Sequence, residues 1–311
     1  MGRVAYLILS HANVSHGVRL VRTIRAQSPA SVVVIHHDAS RVSFPRSDVA
    51  DDSNVLVVDE WIAGAWGDFS LVRMVFAGIE TLRKHAIAYD WLVLLSGMDY
   101  PIRSLAEFES QLAASGDGML GIDPAPGALL DRYRFAWYRL PRVLENRIAH
   151  ELFGVLSRVR PLRRFMRFQS GRVGCRFAFA KTEGPSARGM TIYRGRQWWA
   201  LSKRAVAYAV AYVDENPRYV RWFEERAMIP DEAFFHTMLA NATGFAFRND
   251  DGRFLRWDGP GGASAAVLTS RDLPAMIASG KFFARKFDVA ADGAVLDALD
   301  EIIGVRALQR R

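Results

Sequence analysis

The chain has 311 residues, of which 50% are hydrophobic, 24% charged and 12% aromatic, so its composition excludes a disordered or low-complexity protein. No apolar run approaches the ~18 residues that a membrane-spanning helix needs. The sequence starts directly with a strand-like segment, and its single cysteine, Cys175, cannot form an internal disulfide bond. We therefore expect a soluble protein of the cytoplasm.

Basic residues are concentrated in one segment. Lysine and arginine outnumber acids by 41 to 33, giving a formal net charge of +8. The segment from Arg132 to Arg176 holds twelve arginines but only two acids, so the rest of the chain sums to −2. This pattern favours an anionic partner such as a membrane surface, a nucleic acid or a phosphorylated ligand, although a solvated helix face looks the same. Within it, residues 158–167 alternate arginine with apolar residues, as in a helix that lies on an anionic membrane or in a lid.

The order of elements predicts an α/β fold. Short aliphatic segments alternate with amphipathic ones along the first 123 residues, which predicts repeated β-α-β units, a mainly parallel sheet and helices on both of its faces. The predicted strands are 4–9, 31–36, 54–58, 91–95, 118–122 and 197–201. The predicted helices are 15–27, 71–82, 104–113, 142–159, 203–213, 231–239 and 292–303. Ligands of such a sheet bind at the carboxyl ends of its strands.

Two of the candidate loops follow predicted strands. Asp38 comes directly after the second strand, where a carboxylate can accept hydrogen bonds from a ribose or a base, or can simply form a turn. Asp99 lies in the loop Ser96-Gly97-Met98-Asp99, where Gly97 permits a close backbone approach. Its carboxylate can contact a ligand or fix the turn, and the pattern favours neither role.

The third candidate loop precedes a predicted helix. Pro230 and Asp231 are typical helix-start residues, which places Glu232 in the first turn and His236 on the same face. The helix dipole favours an ionised carboxylate there, and a general base must be ionised to take a proton from a sugar hydroxyl. A purely electrostatic role is the alternative, since acidic residues are common in first turns.

The sequence offers no metal-binding motif. No two aspartates are separated by a single residue, so the Asp-x-Asp pair that holds a divalent ion on a nucleotide diphosphate is missing, and no histidine has zinc-type spacing with Cys175. Glycine-rich dinucleotide and phosphate-loop motifs are missing too, as is the nucleophile elbow of α/β-hydrolases. Arg285 and Lys286, which lie between aromatic residues, can neutralise a departing diphosphate as a metal would, or can form a solvated basic pair.

Seven segments, taken in order, resemble one family. They read AYLILSH (5–11), IHHD (35–38), WGDFSLV (66–72), LSGMDYPI (95–102), GRQWWALS (195–202), PDEAFFHT (230–237) and FARKFD (283–288). Together they are similar to the core-2/I-branching β-1,6-N-acetylglucosaminyltransferase and peptide O-xylosyltransferase family, glycosyltransferase family 14. The resemblance spans nearly the whole chain.

The resemblance implies a GT-A-type, three-layer α/β/α domain with a mainly parallel central sheet, which transfers a sugar from a UDP donor with inversion and without a metal or other cofactor. It implies that Glu232 is the base and that Asp38 contacts the uridine. Arg285 and Lys286 would hold the diphosphate, and Asp99 is placed with these donor-binding residues. Trp198, Trp199 and His236 are candidates for the acceptor site or for the wall of the pocket, although buried aromatic pairs belong more often to a core.

Two departures limit what the resemblance implies. Animal members are Golgi proteins with a membrane anchor and disulfide bonds, so this chain resembles a bacterial, cytoplasmic version. Some members also have a further diphosphate-binding arginine upstream, where this chain has Gly262-Ala263-Ser264. Arg253 or Arg256 is a candidate substitute.

We interpret the chain as one glycosyltransferase domain, divided into a nucleotide-binding half (1–123), a variable basic insertion (124–189) and an acceptor-binding, catalytic half (190–311). The expected donor is UDP-N-acetylglucosamine, with UDP-xylose second. The expected acceptor is a glycan or a lipid-linked sugar in surface polysaccharide synthesis, reached at the inner membrane face through Arg132–Arg176, with no specific nucleic acid partner. The alternative is a non-catalytic protein that binds polyanions or glycans on the same fold.

Overall fold

Strands and helices alternate along the first half of the chain, as the sequence predicts. The computed structural model describes residues 2–125, 127–160, 166–171, 174–180, 184–257 and 264–305. The strands are β1 (Val4–Ser10), β2 (Val32–His37), β3 (Val55–Val57), β4 (Trp91–Ser96), β5 (Asp99–Pro101), β6 (Gly118–Leu120), β7 (Asp123–Pro124), β8 (Phe135–Arg139), β9 (Met166–Gln169), β10 (Arg176–Ala180), β11 (Tyr193–Arg194), β12 (Trp199–Ser202), β13 (Phe247–Arg248), β14 (Arg253–Leu255) and β15 (Phe283–Arg285). The helices are α1 (Val14–Gln27), α2 (Ser70–Lys84), α3 (Leu105–Ala113), α4 (Gly127–Arg134), α5 (Arg147–Leu156), α6 (Lys203–Glu215), α7 (Pro217–Glu225), α8 (Phe234–Ala240), α9 (Leu273–Ala278) and α10 (Ala294–Ile302).

A seven-stranded sheet forms the centre of the fold, in the order β13-β6-β12-β4-β1-β2-β3. The pairs β1–β2, β1–β4, β2–β3 and β6–β13 are parallel, whereas β12 runs antiparallel to both of its neighbours. The predicted mainly parallel sheet is therefore confirmed. Its parallel strands β1, β2 and β4 end at the same edge.

Helices cover both faces of this sheet, so the fold has three layers, α/β/α. Alternate residues of β1 point to opposite sides and enter two separate hydrophobic clusters, as the period of two in a strand requires. Leu7 packs with Val75 of α2 and with the buried residues of α6, α7 and α8. Tyr6 packs on the other side with Ile24 of α1 and with residues of α3 and α10. The α/β fold class is confirmed and is consistent with a GT-A-like architecture.

Within the residues that the structure describes, three small sheets accompany the central one. The first, β8-β10-β9, is antiparallel and lies in the basic segment, and the second is the pair β11-β7. In the third, β15 lies between β14 and β5. This third sheet joins the loop after β4 to the C-terminal part of the chain.

Two predicted helices differ from those observed. The helix predicted at 231–239 is a short 3-10 turn at Pro230–Glu232, followed by α8. Ile229 has a left-handed conformation with φ of 51°, and Ala233 has φ of −138°, so the backbone departs from helical geometry on both sides of the turn. In the basic segment, α5 replaces the longer helix predicted at 142–159 because Asn146 caps it through its side chain.

Part of the basic segment lies outside the described residues, including 161–165 of the predicted amphipathic stretch. Residues 258–263 also lie outside the described residues. Within the described ranges, no helix combines the length and the apolar character needed to cross a membrane.

Candidate active site

A cleft of about 400 Å³ opens where β1, β2 and β4 end. It is lined by the segments that follow these strands, by the start of α2, and by residues that approach from the C-terminal half. The lining residues are Leu9, Ser10, His11, Asp38, Gly64, Trp66, Leu71, Met74, Ser96, Met98, Arg196, Gln197, Trp198, Asp231, Glu232, Leu255, Trp257, Ser264, Ala265, Arg285 and Lys286. The position agrees with the ligand site predicted for a parallel sheet.

Asp38 lies in this cleft directly after β2. One carboxylate oxygen accepts a hydrogen bond from the Ser40 amide at 2.9 Å, and the other accepts one from the Gly64 amide at 2.8 Å. Burial opposes ionisation of Asp38, but hydrogen bonds from Ser40 and from the Gly64 amide, together with the charge of His11, outweigh it and lower the pKa of the carboxyl group. Asp38 is therefore a fixed, ionised acceptor for a hydroxyl or an N–H group.

Arg285 and Lys286 enter the cleft from the end of β15. The guanidinium carbon of Arg285 lies 4.5 Å from the centre of a Trp198 ring, a cation–π arrangement. Lys286 Nζ donates a hydrogen bond to Ser264 Oγ at 2.6 Å. Two adjacent cations thus line the same cleft as Asp38, which is the arrangement needed to hold a diphosphate.

Asp99 lies beneath the cations rather than in the cleft. It is fully buried, accepts a hydrogen bond from the Ser96 amide, and pairs with Arg253 Nε at 3.2 Å and with Arg285 Nε at 3.6 Å. Asp99 is predicted to bind the donor, but in the structure it does not line the cleft, because no surface of its side chain is exposed there. Its contacts position Arg285.

Arg253 is also unavailable to a ligand. Besides Asp99, its guanidinium donates to the carbonyl oxygens of Asp251 and Leu94, and the residue is 3% exposed. Arg256 pairs with Asp272 at 2.8 Å and does not line the cleft. Of the segment where the resemblance predicts a further arginine, residues 262 and 263 lie outside the described residues.

Glu232 lies across the cleft at the end of its 3-10 turn. Its Oε2 atom accepts hydrogen bonds from Arg194 Nη2 at 3.2 Å and from Arg132 Nη1 at 3.4 Å. About a quarter of each of these three side chains is exposed, so the carboxylate is paired yet accessible from the cleft. The Gly195 amide also donates to the Glu232 carbonyl oxygen at 2.9 Å, which fixes the backbone of the turn.

Asp231 is a second carboxyl group at this side of the cleft. It is 8% exposed, and its Oδ1 atom has no hydrogen-bond partner among the described residues. Burial, together with the charge of Glu232, raises the pKa of Asp231 to about 7. A protonated Asp231 adds no second negative charge beside Glu232.

Of the three predicted pocket-wall residues, only Trp198 lines the cleft. Trp199 is fully buried in the core, with its ring centre 5.3 Å from that of Phe235. His236 is also fully buried, and burial lowers its pKa to about 3, so it is neutral. Trp199 therefore has the core position that the sequence also allows, and His236 is a buried residue that does not line the cleft.

A family profile described as "Core-2/I-Branching enzyme" matches residues 4–137 and 157–277, which is most of the chain and includes Asp38 and Glu232. The chain belongs to the core-2/I-branching enzyme family. The resemblance given by the seven segments is therefore confirmed. Its assignment to a bacterial source stays a prediction.

The relatives of this member of the core-2/I-branching enzyme family are named after two different sugars. Beta-glucuronosyltransferase GlcAT14A of Arabidopsis thaliana is 35% identical over 112 residues, which are 35% of this chain and 25% of that protein. Xylosyltransferase 2 of Canis lupus familiaris and of Homo sapiens are each 23% identical over 319 residues, covering 96% of this chain and 33% of each relative. The chain thus spans about a third of the length of the xylosyltransferases that it matches.

Three arginines of this family member were not singled out from the sequence. Arg132 and Arg194 contact Glu232, and Arg196 lines the cleft while pairing with Asp251 at 2.6 Å. Arg194 and Arg196 lie in or beside the segment GRQWWALS, so proximity to that motif was an available signal. Arg132 carries no such signal, because it reaches Glu232 only through the fold.

Proposed function

We propose that the chain is an inverting glycosyltransferase that transfers a sugar from a UDP donor to a hydroxyl group without a metal ion. One observation carries this proposal: Glu232 and the cation pair Arg285–Lys286, which are far apart in sequence, line the same cleft as Asp38. This reaction requires a base, a site for the diphosphate and a hydrogen-bond acceptor that binds the nucleoside.

Each component has a defined role in the proposed reaction. Glu232 takes the proton of the acceptor hydroxyl, and the hydroxyl oxygen forms a bond to the anomeric carbon. The bond between that carbon and the diphosphate oxygen breaks on the opposite face, and UDP leaves with the electron pair. Arg285 and Lys286 stabilise the charge that develops on UDP, and Asp38 holds the uridine. Attack opposite the leaving group inverts the anomeric configuration.

The paired cations also support the metal-free part of the proposal. Arginine and lysine can neutralise a diphosphate directly, and Arg285 is held in position by Asp99 and by Trp198. In the described part of the chain, no group of three or more His, Cys, Asp or Glu side chains has an arrangement that could hold a metal ion.

The names of the relatives and the seven-segment resemblance together indicate three candidate donor sugars. The relatives' names indicate xylose and glucuronic acid, and the seven-segment resemblance indicates N-acetylglucosamine. We propose a glycan or lipid-linked hydroxyl as acceptor, in polysaccharide synthesis at the inner face of a membrane. The competing function, a polyanion-binding protein, is favoured only by the arginine-rich segment.

Thermal unfolding of the full chain with UDP-xylose, UDP-glucuronic acid and UDP-N-acetylglucosamine, each with excess EDTA, tests the proposal. A donor at 100 times its Kd stabilises the folded protein by ~2.7 kcal/mol, which raises the Tm by a few degrees. We expect one donor to do so in EDTA, with the Glu232→Gln variant responding equally. A response that requires Mn²⁺ contradicts metal independence, and a response to heparin but to no donor supports the polyanion-binding protein.

A further inference from the structure

The helix α5 carries a row of apolar side chains on its outer face. Ile148, Leu152 and Val155 are spaced four and three residues apart, so they share one face, and the apolar residues Val143 and Leu144 precede the helix in the sequence. All five are exposed, by 52% to 90%. We call this set the α5 apolar face. A row of this kind is unusual on a water-facing surface, where apolar residues are normally scattered.

The opposite face of α5 fixes the helix to the protein. Phe153 is buried, and its ring lies edge-on to that of Phe168 in β9 at 5.6 Å. Asn146 accepts a hydrogen bond from the Ala149 amide and so caps the start of the helix. The helix is therefore anchored, and the α5 apolar face points away from the anchor.

Positive charge surrounds this face. Arg147 lies beside it, and Arg158 and Arg160 follow it, all three exposed. The only two acids between Arg132 and Arg176 are paired: Glu145 with Arg139 at 3.2 Å, and Glu151 with Arg147 at 2.9 Å. An apolar row flanked by arginines is complementary to a surface that is negative outside and apolar beneath, which describes an anionic lipid bilayer.

We propose that α5 docks this protein onto an anionic membrane surface, with Ile148 and Leu152 inserted among the lipids and Arg158 and Arg160 in contact with the headgroups. A ten-residue helix is about 15 Å long, too short to cross a bilayer, so it lies in the plane of the interface. A second copy of the chain is a poorer occupant, since pairing would bring together two segments with a balance of +10 each.

The segment that carries α5 is connected along the chain to the acceptor side of the cleft. The strand β8 follows directly after α4, and α5 comes after β8 in the chain. Arg132 of α4 donates a hydrogen bond to Glu232. This arrangement suits a lipid-linked acceptor and so deepens the proposed function. Binding to vesicles requires neither donor nor catalysis, so the docking can fail or succeed independently of the glycosyltransferase activity.

Flotation of the full chain with vesicles tests the docking. We expect binding to mixed phosphatidylcholine–phosphatidylglycerol vesicles that is at least about tenfold stronger than to phosphatidylcholine alone and that falls with salt. The double variant Ile148→Asn, Leu152→Asn should lose at least about tenfold of this binding. The double variant Arg158→Gln, Arg160→Gln should lose about 25-fold, since each arginine contributes about fivefold.

Matched controls change the same residue types elsewhere. Ile277→Asn with Ile302→Asn alters two isoleucines that are about half exposed, and Arg218→Gln with Arg221→Gln alters two exposed arginines of α7. Both controls should bind vesicles like the unaltered chain, and circular dichroism checks that all variants fold. Equal binding to both vesicle types, or equal losses in variants and controls, would overturn the docking. So would a dimer in sedimentation analysis that Ile148→Asn, Leu152→Asn dissociates, because a second copy would then cover the face.

Discussion

Arg194 and Glu232 are joined twice, through their side chains at 3.2 Å and through the backbone of the adjacent Gly195, whose amide donates to the Glu232 carbonyl oxygen at 2.9 Å. A Cβ atom at position 195 would lie 1.9 Å from the Gly121 carbonyl oxygen, so only glycine fits in the space between Gly121 and the Glu232 turn. The segment leading into β12 thereby fixes both the main chain and the carboxylate of the proposed base.

Replacing Glu232 by glutamine separates catalysis from binding. Glutamine keeps the size of the side chain and an acceptor oxygen for Arg194, but it cannot take a proton. We expect kcat to fall by roughly 10²–10⁴-fold, while the thermal shift with donor is retained. Glu215→Gln, at the exposed end of α6, is the matched control and should leave turnover unchanged. Full activity in Glu232→Gln would refute the assignment of the base.

Lys286 offers a test of the diphosphate site. Replacing it by methionine removes one charged donor but keeps a long side chain, so the affinity for UDP should fall about 10- to 100-fold, the range for a charge-assisted hydrogen bond. Calorimetric titration with UDP in EDTA measures this change. Lys281→Met is the control, since Lys281 pairs with Asp250 at 2.8 Å and does not line the cleft. Equal UDP affinity in both variants would remove Lys286 from the site.

The buried carboxylate of Asp99 is expected to contribute to stability. Asn at this position leaves Arg253, and in part Arg285, without a buried counter-charge, which costs about 3–5 kcal/mol of unfolding free energy. Urea unfolding measures this loss. Asp59→Asn breaks an exposed pair with Arg46 and should cost about 1 kcal/mol or less. Similar losses in the two variants would show that the buried ion pairs of Asp99 stabilise the fold no more than an exposed ion pair does.

Asp231 should give the fold a specific dependence on pH. Its pKa is about 7 in the folded protein, above the usual 3.8, so the folded protein keeps a proton that the unfolded chain loses. The contribution of Asp231 to the free energy of unfolding is therefore full below pH 3.8. It declines as the pH rises to about 7 and is constant above that. Asp231→Asn removes this decline, so the variant should gain on the unaltered chain across this range, by roughly 4 kcal/mol at most.

Urea unfolding at a series of pH values measures the gain from Asp231→Asn. Asp214→Asn, at an exposed position in α6, should follow the unaltered chain at every pH. If the free energy of unfolding of Asp231→Asn and of the unaltered chain changed in parallel with pH, the pKa of Asp231 would be the same in the folded and the unfolded chain.

Local patterns were sufficient to predict most of the fold. The alternation in β1 and the helical spacing of Val72, Val75 and Ile79 in α2 are set by which faces are buried, and burial on a central sheet repeats with the same period as the sequence. Asp38 was placed in the cleft for the same reason, since strand ends of a parallel sheet meet at one edge.

Contacts between distant segments explain what the sequence did not predict. The burial of Asp99 depends on Arg253, 154 residues later, and the guanidinium beside Glu232 comes from Arg132, 100 residues earlier. The helix predicted at Asp231 breaks because the main chain at Glu232 pairs with Gly195 instead of continuing into α8. None of these partners can be identified from spacing along the chain.

The small sheet in which β15 lies between β14 and β5 has a consequence for synthesis of the protein. Asp99 and Arg285 are opposite each other in the pairing of β5 with β15, so the proposed diphosphate site is built from segments that are far apart along the chain. A nascent chain can bury β1, β2 and β4 long before β15 has left the ribosome. The proposed donor binding should therefore arise only after β15 has been made, so that products that end before β15 cannot sequester UDP-sugar.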